Sequence, residues 1–117
     1  MPRHKAPPPP LELTPIGFEV LLSLASGPLH GYGIKLDIEA RTRGDVSLGS
    51  GTLYQAIQRL EREGLIAEAP GGQGGDARRG RTYRLEPRGR ASLDQHLDRL
   101  SRAVDYARAH KLLPSKS

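Results

Sequence analysis

The chain has 117 residues, of which 18 are Lys or Arg and 13 are Asp or Glu, giving a net charge of +5. This length fits one domain without a separate catalytic domain, and the absence of cysteine excludes disulfides, thiol catalysis and cysteine-bound zinc. No secretory signal is visible, and the apolar run from Val20 to Leu24 is too short to cross a bilayer, which predicts a cytoplasmic protein without membrane association.

The first segment, residues 1–12, is predicted to be a flexible arm. Four consecutive prolines, Pro7–Pro10, favour an extended backbone without internal hydrogen bonds. The basic residues Arg3, His4 and Lys5 leave two interpretations open: an arm that contacts DNA phosphates, or an inert terminus.

Two amphipathic helices are predicted next. The first begins at Thr14-Pro15, because Thr caps free N–H groups and Pro suits the first helical turn. Its apolar residues recur every four positions between Ile16 and Leu24, and the Gly27-Pro28 pair ends it. The second helix covers about residues 31–42.

The third predicted helix is capped by Ser50 and runs to about Glu63. Leu53, Ile57 and Leu60 form its apolar face. The members of the opposite, polar face are Gly51, Gln55, Gln58, Arg59 and Arg62. Such side chains reach base edges and phosphates in the major groove of DNA, although Gln and Arg are equally common on a solvated helix surface.

A β-hairpin is predicted after the third helix. Residues 65–69 and 81–85 read as two strands around a Gly-rich loop. Six arginines crowd into the thirteen residues from 78 to 90, with Glu86 as the only acid. These arginines are Arg78, Arg79, Arg81, Arg84, Arg88 and Arg90. Dense Arg beside flexible Gly favours contact with a phosphate backbone, and a solvated loop is the alternative.

The last predicted helix covers about residues 87–110. Its apolar residues, Leu93, Leu97, Leu100, Val104 and Ala107, are spaced four, three, four and three apart, which is a heptad pattern. We expect this stripe to form a homodimer seam. Two residues of the first helix, Leu21 and Leu22, are expected to share it, because two heptads are marginal alone. The alternative is that the stripe folds back onto its own domain.

The order helix, helix, helix, hairpin, helix predicts an α+β, mainly α fold. It matches a winged helix-turn-helix with an additional C-terminal dimerisation helix. The expected organisation is an arm over residues 1–12, a winged helix-turn-helix DNA-binding domain over 13–86, a dimerisation helix over 87–111 and a flexible tail over 112–117.

Sites for nucleotides, metals and catalysis are not indicated. Residues 75–82 resemble a phosphate-binding loop, but Arg81 stands where the lysine belongs and a strand follows instead of a helix. The four histidines lack metal-ligand spacing, and no nucleophile–base pair is apparent. We therefore expect no metal, no cofactor and no enzymatic activity.

Two long segments, Gly27–Ile34 and Leu48–Ile66, closely resemble the PadR family of transcriptional regulators. Further similarity lies in the Arg-rich hairpin ending at Tyr83 and in the pair Gly89-Arg90. The resemblance covers about residues 16–110 and places the chain in the short-tailed subgroup of the family.

The resemblance implies a dimeric winged-helix repressor that binds palindromic promoter DNA. It assigns five residues to DNA contact or its support: Tyr32, Ser50, Gly51, Thr52 and Tyr54. It also implies a small-molecule effector of unidentified kind. Some short-tailed members stack flat aromatic drugs on a tryptophan between subunits, and this chain has no Trp.

Four residues depart from the family pattern. Gly33 replaces an acidic residue, Ser50 and Gln55 stand where Pro is common, and Glu86 stands where a capping Thr is usual. These departures affect the expected fine specificity more than the expected fold.

Three functions remain to be compared. A DNA-binding regulator, with DNA contacts from the third helix and from Arg78, Arg79 and Arg81, agrees best with the clustered positive charge. A winged helix that docks a protein partner is the alternative, and it fits the dense like charge less well. An enzyme lacks the residues that catalysis requires.

Overall fold

The computed structural model describes residues 13–69 and 80–114. The predicted arm, the tip of the hairpin with Arg78 and Arg79, and the last three residues lie outside this part. The elements in chain order are α1 (Pro15–Leu24), β1 (Leu29–His30), α2 (Gly31–Arg41), α3 (Ser50–Arg62), β2 (Ile66–Glu68), β3 (Thr82–Leu85) and α4 (Pro87–Ala109). The predicted order is confirmed, with one additional strand.

The helix starts follow local capping rules with one correction. Thr14 Oγ1 accepts a hydrogen bond from the Gly17 N–H at 2.9 Å, and Pro15 opens α1, as expected. The predicted cap of α3 is wrong by one residue, since Gly49 occupies the N-cap and Ser50 is the first helical residue. No side chain caps α3, so its first N–H groups remain available.

The end of α3 shows why a glycine follows it. Gly64 has a φ of +76°, a conformation that glycine adopts without strain. The turn lets the N–H groups of Gly64 and Leu65 bond to the carbonyls of Glu61 and Leu60 at 3.0 and 2.9 Å. The chain then enters β2 directly.

The sheet has three antiparallel strands in the order β1-β3-β2. The predicted hairpin is β2 paired with β3, with Ile66 opposite Leu85 and Glu68 opposite Tyr83. The sequence did not predict β1, because two residues are too short to show a strand period. It pairs Leu29 with Tyr83 and so ties the start of α2 to the hairpin.

The core lies where α1, α2 and α3 meet the sheet and the first turns of α4. Its largest fully buried members include Tyr83, Leu65 and Leu93. The first part of α4 packs on α1, where the Phe18 and His96 rings lie 4.5 Å apart. The C-terminal half of α4 carries exposed apolar residues instead, with Leu97 36% and Leu100 42% exposed.

Two predicted seam residues do not lie at the surface. Leu21 is 0% and Leu93 is 1% exposed, so both are buried in the core of their own chain and offer no surface to a second one. The correction has a simple cause: an apolar period identifies a buried face but not the partner that buries it. Leu22 is half-buried, Leu97 and Leu100 are exposed, and Val104 is half-buried.

Candidate nucleic-acid interface

The two faces of α3 are clearly separated. Leu53, Ile57 and Leu60 are at most 4% exposed and hold the helix against the core. The exposed residues of this helix include all of its predicted DNA-contacting members: Ser50, Gly51, Thr52, Tyr54, Gln55, Gln58, Arg59 and Arg62. The structure therefore presents a polar surface about 20 Å long, at 1.5 Å per residue.

Within this surface, Arg59 is held along the helix. Its Nε donates to Glu63 Oε2 at 3.1 Å, and the arginine side chain is 57% exposed. Exposed pairs four residues apart contribute only about 0.3–0.5 kcal/mol. A guanine edge or a phosphate can therefore compete with Glu63 for the guanidinium.

The starts of α2 and α3 converge on a shallow cavity of about 220 Å³. Tyr32 and Tyr54 are 67% and 48% exposed at its edge. Gly80, the first described residue after the hairpin tip, also lines it, and a β-carbon on Gly80 would lie 4.0 Å from the Tyr54 hydroxyl. The fold thus brings two helix starts and the base of the wing together.

The cavity contains a cation that the sequence analysis did not select. Lys35 lines it and forms an ion pair with Glu39, with 2.6 Å between Nζ and Oε2. Hydrogen bonds from Lys35 and then Ser47 lower the pKa of Glu39. A usable signal was present, since Lys35 follows Tyr32 by three residues and therefore lies on the same helix face.

The start of α3 is suited to an anion. Its first turn contains no acidic residue, and the cap makes no side-chain hydrogen bond. The Leu53 N–H is the first to bond within the helix, to the Gly49 carbonyl at 3.0 Å. The N–H groups of Ser50, Gly51 and Thr52 precede it at the positive end of the helix dipole, where a phosphate is stabilised.

The hairpin divides the arginine cluster that the sequence presents as one. Arg81, next to the tip, is 66% exposed and 3.7 Å from Glu68. Arg84 pairs with Glu86 at 3.0 Å and Arg90 with Asp94 at 3.0 Å, both at the far end of the sheet. Arg81, with Arg78 and Arg79 outside the described residues, remains next to the cavity.

A polar network behind the interface fixes α2 against α1. Arg41 donates to Glu19 Oε1 and Asp37 Oδ2, both at 2.8 Å, and to Ser23 Oγ at 2.7 Å. Hydrogen bonds from Arg41 and then Ser23 lower the pKa of Asp37. The sequence analysis did not identify this network, because Glu19 and Arg41 meet only in the tertiary structure.

Tyr83, by contrast, belongs to the core and not to the interface. It is 1% exposed, and burial raises the pKa of its hydroxyl. Over residues 13–69 and 80–114, no group of three or more His, Asp or Glu residues is arranged to hold a metal ion. The helices of this part are each too short or too polar to span a membrane.

Comparison with known proteins identifies the family. Residues 20–95 match the model of the transcriptional regulator PadR-like family. The chain belongs to this family. It is 31% identical over 98 residues to the transcriptional regulator Rv3488 of Mycobacterium tuberculosis, a match covering 81% of this chain and 87% of that protein.

A second PadR-like match is to part of a longer protein. The chain is 41% identical over 83 residues to an uncharacterised 37.1 kDa protein in transposon TN4556 of Streptomyces fradiae. The match covers 71% of this chain but only 22% of the Streptomyces protein.

Solved structures confirm the winged-helix fold. A transcriptional regulator from Clostridium thermocellum is 25% identical with a TM-score of 0.63, covering 80% of this chain and 87% of that one. A PadR family regulator from Clostridium difficile is 23% identical with the same TM-score, covering 81% and 96%. Bacillus subtilis PadR, solved in complex with operator DNA, is 24% identical with a TM-score of 0.59, covering 70% and 46%.

Proposed function

We propose that this PadR-like regulator binds a specific, pseudo-palindromic promoter site as a homodimer and represses transcription from it. The observation that carries the proposal is the exposed polar face of α3, which lies beside a basic hairpin and opposite Leu53, Ile57 and Leu60 in the core. Support also comes from the fold shared with Bacillus subtilis PadR, which was solved with operator DNA.

The proposed contacts fall into two groups. On α3, Gln55, Gln58, Arg59 and Arg62 read base edges in the major groove. The second group holds the phosphate backbone and consists of Tyr32, Ser50, Gly51, Thr52, Tyr54, Arg78, Arg79 and Arg81. Lys35 joins the second group because it lines the same cavity as Tyr32 and Tyr54.

The homodimer is proposed to form through the exposed part of α4. Leu97, Leu100 and Val104 supply the apolar contact, with Leu22 of α1 at its margin. A dimer places two recognition helices on half-sites about 34 Å apart, one turn of DNA. Repression follows because a dimer bound across a promoter excludes the polymerase.

A mobility-shift titration on the DNA upstream of the coding region tests the proposal. About 6–10 phosphate contacts predict a loss of affinity of about 10³–10⁵ between 50 and 200 mM salt. A random duplex of equal length is the control and is expected to bind more weakly. Absence of binding to any upstream fragment, or binding that ignores salt, would show that DNA is not the partner.

The double variant Leu97→Glu/Val104→Glu separates dimerisation from DNA contact. Charges at these positions are expected to give a folded monomer that has lost operator affinity. Leu36→Glu, at a 46% exposed position on α2, is the matched control and should leave the mass unchanged. Sedimentation reports the mass, and a double variant that remains dimeric would contradict the assigned seam.

A further inference from the structure

The apolar stripe available on α4 has defined limits. Leu93 is used by the core of its own chain, so the first free position is Leu97. Leu100, Val104 and Ala107 follow at intervals of three, four and three, and the helix ends at Ala109. The midpoint of this stripe is residue 102.

We propose that α4 pairs antiparallel with α4 of a second copy, centred at residue 102; this inference rests on the proposed homodimer. In that register Leu97 faces the partner's Ala107, and Leu100 faces the partner's Val104. Each layer then combines a larger and a smaller side chain, which keeps the packing even along the contact.

The parallel arrangement packs less evenly. It would place each residue against its own copy, so that two Leu layers stand at one end and Ala107 faces the partner's Ala107 at the other. Two alanines leave the space between the helices poorly filled, and unfilled space forfeits dispersion contacts. The antiparallel register avoids this defect.

The charges beside the stripe favour the same direction. Asp94 and Arg108, both exposed, lie on one flank, seven residues on either side of Ser101. Antiparallel helices bring like flanks together, so Asp94 faces the partner's Arg108 and the contact occurs twice by symmetry. In a parallel pair Arg108 would instead lie opposite the partner's Ala103, with no charge to match.

Small residues occupy the centre of the contact. Ser101 would face the partner's Ser101 on one flank, and Ala103 would face the partner's Ala103 on the other. Both are exposed in the single chain. Their small side chains let the two helices approach closely where they cross, so the centre of the register is also the place where close packing is easiest.

The arrangement also separates the two folded bodies. Each body is attached to α4 near Leu93, nine residues from the centre, which puts the two attachment points about 27 Å apart at 1.5 Å per residue. A parallel pair would bring both bodies to the same end of the helices. Separation of this order suits two half-sites one DNA turn apart.

The ion pairs set direction more than affinity. Asp94 is already 3.0 Å from Arg90, and both side chains are about three-fifths exposed, so the partner's Arg108 must share the carboxylate. Exposed pairs are individually weak. The apolar stripe holds the dimer, and the charges select the antiparallel register over alternatives.

Charge reversal provides the first test. Asp94→Arg alone and Arg108→Asp alone each place like charges in contact twice, so each is expected to raise the dimer dissociation constant on the order of tenfold. An equimolar mixture of the two variants matches opposite charges at both contacts and should regain the wild-type dissociation constant. A mixture that dimerises no better than either variant alone would overturn the register.

Disulfide trapping provides the second test, and the natural absence of cysteine makes it clean. Ser101→Cys should crosslink readily to its own copy under mild oxidation. Arg108→Cys, at the same heptad position, lies about 21 Å from its copy in the antiparallel pair and should not crosslink. Circular dichroism checks that both variants are folded.

The outcomes separate the two proposals. A wild-type chain that sediments as a monomer would remove the homodimer itself. A wild-type dimer in which Arg108→Cys crosslinks as well as Ser101→Cys would retain the homodimer and reject the antiparallel direction.

Discussion

Gly89 of α4 lies directly against the backbone carbonyl of Leu65, so closely that a β-carbon at this position would overlap the carbonyl oxygen. The Leu65 carbonyl also accepts a hydrogen bond from the Glu86 N–H at 3.0 Å. This contact seats the first turn of α4 on the segment between α3 and β2. The Gly-Arg pair at the start of α4 therefore has a steric reason for its glycine.

Gly89→Ala is expected to lower the free energy of unfolding by about 1–3 kcal/mol, because the helix must move away from Leu65. Gly33→Ala is the matched control in α2, where the added carbon would meet Leu29 at 3.6 Å, an ordinary contact. That substitution should be neutral or stabilise by up to about 1 kcal/mol, since Ala favours helices more than Gly. Urea titration of both variants measures the difference, and equal stabilities would refute the steric role of Gly89.

Arg59→Ala is expected to weaken operator binding by about 1–3 kcal/mol and to change binding to random DNA much less, because its position on α3 suits base readout. Arg79→Ala should weaken binding to both duplexes, since a wing contacts the backbone. Arg102→Ala is the control, an exposed arginine on α4 that pairs with Asp98 at 3.2 Å. Fluorescence titrations with both duplexes decide, and equal losses on both for Arg59→Ala would contradict its role.

Tyr54→Phe is expected to reduce affinity for operator and random DNA alike, by about 1–2 kcal/mol, because its exposed hydroxyl is placed to donate to a phosphate. Thermal unfolding should be unchanged, since the hydroxyl lies at the surface. Tyr106→Phe, at a 62% exposed position on α4, removes an equivalent hydroxyl far from α3 and serves as the control. A loss confined to the operator would instead assign Tyr54 to base readout.

Asp37→Asn tests the network around Arg41. The pKa of Asp37 is lowered below its ordinary value of 3.8, mainly by the hydrogen bond from Arg41. A carboxylate with a lowered pKa stabilises the fold above its unfolded pKa, and this stabilisation is lost as the pH falls through the folded value. The variant should therefore be less stable than wild type at about pH 7 and approach it at about pH 2.5.

Unfolding titrations at the two pH values give the comparison. Asp98→Asn, which affects an exposed ion pair with Arg102, is the control and should change stability little at about pH 7. If Asp37→Asn differs from wild type by the same amount at both pH values, the charge of Asp37 does not stabilise the fold.

Local sequence rules predicted most of the secondary structure. Thr14 capping α1, the Leu53 to Leu60 face of α3, and the paired strands on both sides of the hairpin loop all depend on residues near one another in the chain. Two features fell outside that range. Strand β1 has only two residues and exists because β3 pairs with it, and the cap of α3 shifted from Ser50 to Gly49.

For the candidate site, the sequence identified the polar face of α3 and the two tyrosines but not their relation to the wing. The cavity that joins Tyr32, Tyr54 and Gly80 requires residues almost fifty positions apart to meet. Lys35 was missed for the same reason, because its importance comes from the cavity and not from its neighbours in the chain.

The sequence alone determined the family, the element order and the faces of each helix, because these follow from local motifs and from the spacing of apolar residues. Only the tertiary structure decided which apolar residues each face buries against. Leu93 and Leu97 belong to one continuous heptad stripe, yet α1 covers the first and leaves the second 36% exposed. Periodicity states that a side chain avoids water, but the packing of neighbouring elements decides whether its own chain or a second copy removes it from water.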